Sequence, residues 1–253
     1  MPGDLGVLIP ARNEADLIGA TVRAAATIPG ADIVVVVDDG STDGTAAVAA
    51  AAGARVVRHA RNRGKAAALE TGAEIVRLLE SGAAVPHHLL FLDADLGESA
   101  AQAGPLAEPV RRGTADMTIA VFSDRVRRGG FGFVTAASGS GIARATGWRP
   151  AQPLNGQRCL TRPTFEAALP LAAGWGIETG LTIDLIRQGM RIMEVEVPLA
   201  HRATGNDWRS QLHRAQQLAG VARALAAREP ATRRARRARA SRARADRDRT
   251  RQS

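Results

Sequence analysis

The sequence has little cysteine, few aromatic residues and no long apolar runs. Cys159 is the single cysteine among 253 residues, which excludes a disulfide within the chain and favours a reducing compartment. Apolar runs, such as Ile33 to Val37, are far shorter than the roughly 20 residues that a membrane helix needs. Met1 to Asp4 include no charged segment followed by an apolar one, so we expect no signal peptide. These absences predict a soluble, cytoplasmic, globular body.

Lysine is almost absent as well, since Lys65 is the only one beside 33 arginines. The net charge is +9, but residues 231–253 hold ten Arg and two Asp, a net of +8, which leaves the rest of the chain near neutral. The basic charge therefore belongs to a tail, which we expect to be disordered. Peripheral contact with an anionic membrane surface is the second interpretation of this tail. RNA binding is the third interpretation of the tail, because no aromatic residues lie between the arginines to stack on bases. We therefore expect no specific nucleic-acid partner.

Apolar runs alternate with helical stretches in the first half of the chain, which predicts βαβ units and an α/β fold with a mixed, mostly parallel sheet flanked by helices. We expect the following strands there: Gly6–Ile9, Asp32–Val37, Ala54–Arg58 and His88–Leu92. The helices between them are predicted at Glu14–Thr27, Asp43–Ala52 and Lys65–Leu79. In the second half we expect strands at Ala115–Phe122, Gly156–Thr161 and Arg191–Val197, helices at Gly176–Gln188 and Trp208–Arg228, and a loop at Gly129–Phe133.

Polar clusters follow three of the predicted strands. Pro10–Glu14 comes after the first strand, Asp38–Thr45 after the second, and Asp93-Ala94-Asp95 after the fourth. Ligands of parallel α/β sheets bind beyond the carboxyl ends of the strands, where these clusters meet. The sequence therefore predicts a binding site at this edge of the sheet.

The paired acids in these clusters have a structural and a functional interpretation. Gly40 and the hydroxyl residues after it suit a turn and a helix cap, but a carboxylate at Asp38 or Asp39 also suits the imide N–H of uracil or the hydroxyls of a ribose. Asp95, with Glu98 three residues later, resembles a capping box. The spacing of Asp93 and Asp95 equally suits a site for Mg²⁺ or Mn²⁺ that neutralises a diphosphate leaving group.

Two further segments carry charged residues at predicted helix starts. Arg61–Lys65 is a basic stretch with Gly64 before a helix, which suits either a phosphate site or a solvated surface. Glu178 lies at the start of another helix, where the helix dipole favours an anion. Its functional interpretation is contact with an acceptor hydroxyl, as base or as positioning group.

Four motifs carry a specific resemblance. The series LIPARNE, VVDDGSTDGT, NRGKAAAL and FLDADL, in this order and spacing, resembles the nucleotide-sugar half of family-2 glycosyltransferases over about residues 5–125. The resemblance implies the GT-A fold, which is Rossmann-like and binds nucleotide sugars, with a donor-binding half at 1–125, an acceptor-binding half at 126–230 and the tail at 231–253. It also implies a donor site formed by Pro10, Arg12, Glu14, Asp38, Asp39, Lys65, Asp93 and Ala94.

The second half resembles two groups within these enzymes, those that make glucosyl-3-phosphoglycerate and those that glycosylate polyprenyl phosphates. The resemblance implies a metal site of Asp95 and His201 for Mg²⁺ or Mn²⁺, although His201 also suits a plain surface position. Glu178 and Asp95 are the implied catalytic residues. Thr135, Gln157 and Arg158 are the candidate acceptor-binding residues, with a structural ion pair as an equal alternative for Arg158.

We therefore expect a metal-dependent glycosyltransferase that moves a sugar from a UDP- or GDP-linked donor to a small or lipid-phosphate acceptor. One alternative is a sugar-phosphate nucleotidyltransferase, which needs a glycine-rich loop after the first strand that Pro10–Glu14 does not supply. The other is a basic nucleic-acid-binding protein. A homodimer is a further hypothesis.

Overall fold

The described residues form one sheet with helices on both faces. The computed structural model describes residues 4–80, 85–122, 132–199 and 217–229. The strands are β1 (Leu5–Ala11), β2 (Ala31–Asp38), β3 (Arg55–Arg58), β4 (His88–Phe91), β5 (Met117–Phe122), β6 (Arg158–Leu160) and β7 (Ile192–Val197). The α-helices are α1 (Ile18–Ala25), α2 (Thr45–Ala51), α3 (Lys65–Leu79), α4 (Ala107–Arg111), α5 (Gly132–Thr146), α6 (Arg162–Ala167), α7 (Ile177–Arg187) and α8 (217–229). Two 3₁₀ segments cover Gly97–Leu106 and Gly174–Gly176.

The seven strands lie in the order β3-β2-β1-β4-β6-β5-β7. All neighbouring strands are parallel except β6, which runs antiparallel to β4 and to β5. The predicted mixed, mostly parallel sheet is therefore confirmed, and each predicted strand is present with ends shifted by at most two residues. Because β1, β2 and β4 are parallel neighbours, their carboxyl ends lie at one edge, which we call the acidic edge.

The core has two layers because successive side chains of a strand point to opposite faces of the sheet. Val7 and Ile9 of β1 pack with one apolar cluster, whereas Leu8 packs with the other. In β2, Val36 and Val37 are divided between the two clusters in the same way. Burial on both faces explains why these strands are almost continuously apolar in sequence. Each such side chain contributes roughly 1.5–3 kcal/mol when fully buried.

Several helices differ from the prediction. The first predicted helix is shorter, since α1 covers only Ile18–Ala25. The 3₁₀ segment Gly97–Leu106 and helices α4, α5 and α6 were not predicted. In α5 the glycines concealed the helix from sequence reasoning, but Gly141 is required by packing: a Cβ there would lie 2.4 Å from Leu225 of α8.

Some predicted segments lie wholly or partly outside the described residues. The predicted loop at Gly129–Phe133 falls there except for its last two residues, which begin α5. The predicted helix Trp208–Arg228 is described only from residue 217, where it is helical. The arginine-rich tail, residues 231–253, is also outside the described part. None of the described helices combines the length and the apolar character that crossing a bilayer requires.

Candidate active site

The loops after β1 and β2 are bound to each other at the acidic edge. The Asn13 N–H donates to Ser41 Oγ at 3.0 Å, and the Thr42 N–H donates to Asn13 Oδ1 at 2.9 Å. The Glu14 N–H donates to Thr45 Oγ1 at 2.9 Å. Asn13 has a φ of 56°, a left-handed conformation in which asparagine is enriched. These contacts fix the backbone of the segment that carries three predicted donor residues, of which Pro10 and Glu14 are half-buried and Arg12 is exposed.

The sole lysine lies between two carboxylates at this edge. Lys65 Nζ donates to Asp93 Oδ1 at 2.8 Å and to Glu178 Oε1 at 3.1 Å. Desolvation alone would lower the pKa of Lys65, but the charges and hydrogen bonds of Asp93 and Glu178 raise it above its ordinary value. The stabilisation from this ion pair is therefore complete at neutral pH and is lost only as pH rises through the raised pKa. Lys65, Asp93 and Glu178, which are far apart in sequence, form one charged cluster.

The space around Lys65 accounts for the choice of lysine in an arginine-rich chain. A Cβ on Gly156 would lie 2.4 Å from Lys65 Nζ and 3.1 Å from Asp93 Oδ1, so the ammonium occupies the space that a glycine leaves open. A guanidinium is a wider planar group than an ammonium, so we expect it to displace a neighbouring group in the same space. Asp93 is oriented from its other oxygen, since Gln157 Nε2 donates to Asp93 Oδ2 at 2.6 Å.

The loop that carries Asp95 is held by a buried hydroxyl of α1. Thr21 Oγ1 donates to the carbonyl oxygen of Ala94 at 2.8 Å and accepts the N–H of Gly97 at 2.8 Å. Thr21 is completely buried, and Gly97 has a φ of +57°, which glycine adopts without strain. This arrangement sets the backbone on both sides of Asp95, whose side chain is half-buried at the acidic edge.

The capping role expected of Asp95 and Glu98 is wrong. The 3₁₀ segment begins at Gly97 with Leu96 in the capping position, and no side chain caps it. Glu98 lies one residue inside the segment and is exposed. The positive φ of Gly97 turns the chain after Asp95, so the geometry of a capping box is not formed.

The donor set at this edge fits a divalent cation that is shared with a substrate. Mg²⁺ prefers oxygen ligands and is commonly bound by one or two carboxylates together with substrate phosphates and water. Asp95 offers such a carboxylate on a braced loop. Within the described residues no group of three or more His, Cys, Asp or Glu side chains is arranged to hold a metal by itself. His201, the other predicted ligand, lies outside the described residues.

Asp38 provides a buried carboxylate beside an open pocket. Its Oδ1 accepts the Ser41 N–H at 2.8 Å, and Arg58 Nε lies 3.2 Å from its Oδ2. Oδ2 is buried and accepts no hydrogen bond among the described residues, so Arg58 contacts it as an ion-pair partner only. An open pocket of about 550 Å³ adjoins these groups, lined by Gly40, Ser41, Thr42, Arg58, His59 and Ala60.

Asp39 does not fit the predicted contact with a nucleotide. Its side chain is only 7% exposed, and its two oxygens accept hydrogen bonds from His59 and from two backbone N–H groups. Burial would raise the pKa of Asp39, but these hydrogen bonds lower it below its ordinary value. The carboxylate is therefore engaged inside the protein, which corrects the sequence-based assignment.

Arg158 is not available to an acceptor phosphate. It is 1% exposed, and its guanidinium donates to the carbonyl oxygens of Asn155 and Pro153 and to Thr182 Oγ1. Desolvation lowers the pKa of Arg158 to about 10, against the raising effect of the Glu178 and Glu194 charges. These contacts give Arg158 a structural role that joins β6 to α7. Among the described residues, Arg158 has no acidic partner within ion-pair distance, so the ion pair considered from the sequence is not seen there.

The other two predicted acceptor residues differ from each other. Gln157 is completely buried and hydrogen bonded to Asp93, so it orients a site carboxylate and does not face an acceptor. Thr135 is half-buried on α5, one turn before Ser138. Because Ser138 Oγ lies 2.7 Å from Thr179 Oγ1, this part of α5 lies against the start of α7, where Glu178 is found.

A larger open pocket, of about 760 Å³, lies away from the acidic edge at the amino-terminal ends of β2 and β3. Its acids are already paired, since His87 lies 2.8 Å from Glu80 and 3.0 Å from Asp32. Glu80 also contacts Arg162 at 3.0 Å. We therefore place the active site at the acidic edge and not in the larger pocket.

Four residues that shape the site were missed by sequence reasoning: Thr21, His59, Gly156 and Gln157 in its role toward Asp93. Thr21 and His59 are single polar residues in otherwise ordinary segments, and their partners are distant in sequence. Lys65 was predicted to belong to the donor site, but nothing in the sequence identified Gly156 as its neighbour.

Comparison with known proteins agrees with this geometry. Residues 6–151 match the family model described as Glycosyl transferase family 2. Glycosyltransferase AglJ of Haloferax volcanii is 30% identical over 210 residues, which are 81% of this chain and 66% of that protein. Glucosyl-3-phosphoglycerate synthase of Mycolicibacterium paratuberculosis is 29% identical over 196 residues, 71% of this chain and 59% of that protein. The chain thus spans about two thirds or less of the length of these curated relatives.

A solved structure extends the similarity to the fold. The crystal structure of glucosyl-3-phosphoglycerate synthase from Mycobacterium tuberculosis, in complex with Mn²⁺, uridine diphosphate and phosphoglyceric acid, superposes with a TM-score of 0.67 and 27% sequence identity. The match covers 88% of this chain and 78% of that chain. The predicted GT-A fold is confirmed by this likeness together with the sheet order.

Proposed function

The chain belongs to glycosyl transferase family 2, and we propose that it transfers a sugar from a uridine-diphosphate sugar to a hydroxyl group of a small phosphorylated acid. Membership in the family confirms the prediction of a glycosyltransferase enzyme. The choice of UDP and of the acceptor is supported by the ligands of the mycobacterial relative, which were Mn²⁺, UDP and phosphoglyceric acid. The observation that carries the proposal is the convergence of Lys65, Asp93 and Glu178 beside the Asp95 loop.

The donor would lie along the acidic edge with its base near Asp38. The buried Oδ2 of Asp38 is an acceptor that lacks a hydrogen-bond donor among the described residues, and the imide N–H of uracil supplies one once Arg58 moves aside. The open pocket next to it provides room for the base. Pro10, Arg12 and Glu14, on the braced loop after β1, would line the other side of the nucleotide.

The residues around Lys65 suit the transfer step. The oxygen of the acceptor hydroxyl forms a bond to the anomeric carbon and gives up its proton, which Glu178 would take. The bond from that carbon to the β-phosphate oxygen breaks, and UDP leaves. Lys65 would stabilise the charge that develops on the leaving diphosphate. Asp93, oriented by Gln157, would bind the ribose or the sugar. Glu178, at the start of α7, would accept a hydrogen bond from the acceptor hydroxyl.

Asp95, with His201 as a second expected ligand, would hold Mg²⁺ or Mn²⁺ at this edge. Such a cation neutralises diphosphate charge when it is bound. Each of three residues would then bind a different part of the donor complex. Asp95 would bind the metal, Asp93 the sugar hydroxyls, and the Lys65 ammonium the phosphate oxygens.

A transfer assay tests the proposal. The protein is incubated with Mn²⁺, UDP-glucose or GDP-glucose, and either 3-phosphoglycerate or a polyprenyl phosphate, and products are identified by mass spectrometry. The proposal predicts a glycosylated product from a UDP-sugar with the small phosphorylated acid. Transfer only to the polyprenyl phosphate would overturn the acceptor, and transfer only from the GDP-sugar would overturn the donor.

Replacing Glu178 with glutamine is expected to lower kcat about 100-fold while the protein still binds UDP, because the charged acceptor of the hydroxyl proton is lost but the side chain keeps its shape. Steady-state kinetics and calorimetric titration of UDP measure the two effects. Glu166→Gln on α6, an exposed position, is the matched control and is expected to keep full activity. A normal kcat in Glu178→Gln would remove Glu178 from the proposed chemistry.

A further inference from the structure

The second acid of the Asp38-Asp39 pair holds a loop in place. Asp39 Oδ1 accepts hydrogen bonds from His59 Nδ1 at 2.7 Å and from the Arg63 N–H at 2.8 Å. Asp39 Oδ2 accepts the Gly64 N–H at 2.7 Å. We call residues 61–64 the basic loop. Two of its backbone N–H groups are thus bound by one buried carboxylate at the end of β2.

Gly40 allows the basic loop to approach this closely. A Cβ at Gly40 would lie 2.7 Å from the carbonyl carbon of Arg61 and 2.8 Å from the backbone nitrogen of Asn62. Gly40 also has a φ of +74°, which disfavours any side chain. Asp39 and Gly40 therefore both allow the basic loop to lie against the end of β2. Asp39 binds the loop by hydrogen bonds, and Gly40 has no side chain that would collide with it.

The basic loop leads directly into the lysine of the site. Gly64, whose N–H is held by Asp39, has a φ of +89° and occupies the capping position before α3. Lys65 is the first residue of that helix, and the Ala68 N–H donates to the Gly64 carbonyl at 3.1 Å. Lys65 thus directly follows the residue whose backbone N–H is bound by Asp39.

His59 completes this arrangement from the end of β3. Its ring is buried, with Nδ1 on Asp39 and Nε2 at 3.0 Å from Thr71 Oγ1 of α3. A carboxylate only accepts hydrogen bonds, so Nδ1 carries the hydrogen. His59 therefore orients the Asp39 carboxylate through Nδ1, while its other ring nitrogen lies against α3.

We propose that Asp39 and His59 are positioning residues that set the Lys65 ammonium between Asp93 and Glu178. Asp39 acts through the backbone N–H groups of the basic loop. His59 acts through its hydrogen bond to Asp39, although its ring also lines the pocket beside Asp38. The proposal rests on the proposed function for its effect on catalysis, because it assigns to Lys65 the stabilisation of the leaving diphosphate. The placement of Lys65 by Asp39 and His59 does not depend on the proposed function.

Two substitutions of His59 distinguish the effect of its hydrogen bond to Asp39 from the effect of the volume of its side chain. In His59→Asn the side-chain nitrogen takes the place of Nδ1 and keeps the bond to Asp39, whereas in His59→Gln it takes the place of Nε2 and reaches Thr71. The proposal predicts a loss of kcat/KM for the UDP-sugar of about 10-fold to 100-fold in His59→Gln. His59→Asn is expected to recover most of the activity. Equal kinetics in the two variants, measured well below their melting temperatures, would overturn the proposal.

The single lysine supplies a readout without any substrate. Incorporation of ¹⁵N-lysine labels one backbone amide, that of Lys65, next to the basic loop. We expect its NMR signal to shift in His59→Gln and in Asp39→Ala, and to stay in place in His59→Asn. Thr71→Val, which removes only the outer partner of His59, is the control expected to lower the melting temperature without moving this signal.

The outcomes for the two proposals are distinguishable. If the unmodified protein transfers no sugar, the proposed function fails, but the Lys65 amide signal still tests the positioning by Asp39 and His59. An unmoved amide signal in both His59→Gln and Asp39→Ala overturns the positioning, even in a protein that is fully active.

Discussion

Replacing Lys65 with arginine is expected to lower kcat/KM for the UDP-sugar about 100-fold, although the positive charge is retained. The reason is the space around the ammonium, which lies 2.4 Å from the position of a Cβ on Gly156 and is hydrogen bonded to Asp93 and Glu178. A guanidinium in that space displaces at least one of the two carboxylates. Steady-state kinetics with varied UDP-sugar measure the effect.

Gly156→Ala tests the same space from the other side. The added methyl group meets the ammonium of Lys65, so we expect a comparable loss of kcat/KM even though every charged group is kept. The control for Lys65→Arg is Arg23→Lys, which exchanges the same two residue types at an exposed position of α1. We expect it to leave kcat/KM unchanged. Full activity in Lys65→Arg would show that charge alone is sufficient and would contradict the role given to shape.

Replacing Asp95 with asparagine is expected to lower kcat/KM on the order of 1,000-fold and to abolish the dependence of UDP binding on Mn²⁺. Asp95 is the carboxylate of the braced loop after β4, between Ala94 and the turn at Gly97. The amide keeps the shape of the side chain but loses the charge that a divalent cation requires. Calorimetric titration of UDP with Mn²⁺ and with a chelator measures the dependence.

Glu98 supplies the matched control for Asp95. It is an exposed acid three residues away and does not cap the 3₁₀ segment, so Glu98→Gln is expected to retain metal dependence and activity. If Asp95→Asn still binds UDP with the metal dependence of the parent protein, the assignment of the cation to Asp95 is wrong.

The strand ends at the acidic edge were predictable because apolar runs and the acids after them are local features. β1, β2 and β4 were each identified, and their parallel arrangement follows from the helices between them. The prediction that Lys65 belongs to the site came from the resemblance of the NRGKAAAL motif, and Lys65 is also the one exception to the use of arginine in this chain. The structure adds why the exception exists, namely the close approach of Gly156.

The roles of individual charged residues could not be obtained in the same way. Asp38 and Asp39 are neighbours in sequence, but only Asp39 accepts the N–H groups of the basic loop. Arg158 looks like a phosphate ligand from its residue type, yet it is buried and bound to carbonyl oxygens. Whether a polar side chain faces a ligand or binds inside the protein depends on partners from distant segments. A local sequence pattern does not contain that information.

The missed helices have a related cause. The glycines of α5 reduce its helix propensity, and the helix is supported by contacts to other helices, such as Ser138 with Thr179 of α7. The segment Gly97–Leu106 contains Pro105 and forms a 3₁₀ helix, for which the apolar spacing of an α-helix is absent. Tertiary packing decides the structure of both segments.

The central claim, that the acidic edge is the site of a uridine-diphosphate sugar, is tested most directly by calorimetric titration of UDP and GDP into the full chain with Mn²⁺. We expect UDP to bind at least about tenfold more tightly than GDP. Asp38→Asn is expected to remove this preference, because the amide oxygen stays with the Ser41 N–H and an NH₂ donor takes the place of Oδ2, which would accept the uracil imide N–H. No heat of binding with UDP, or equal affinity for UDP and GDP in the parent protein, would contradict it.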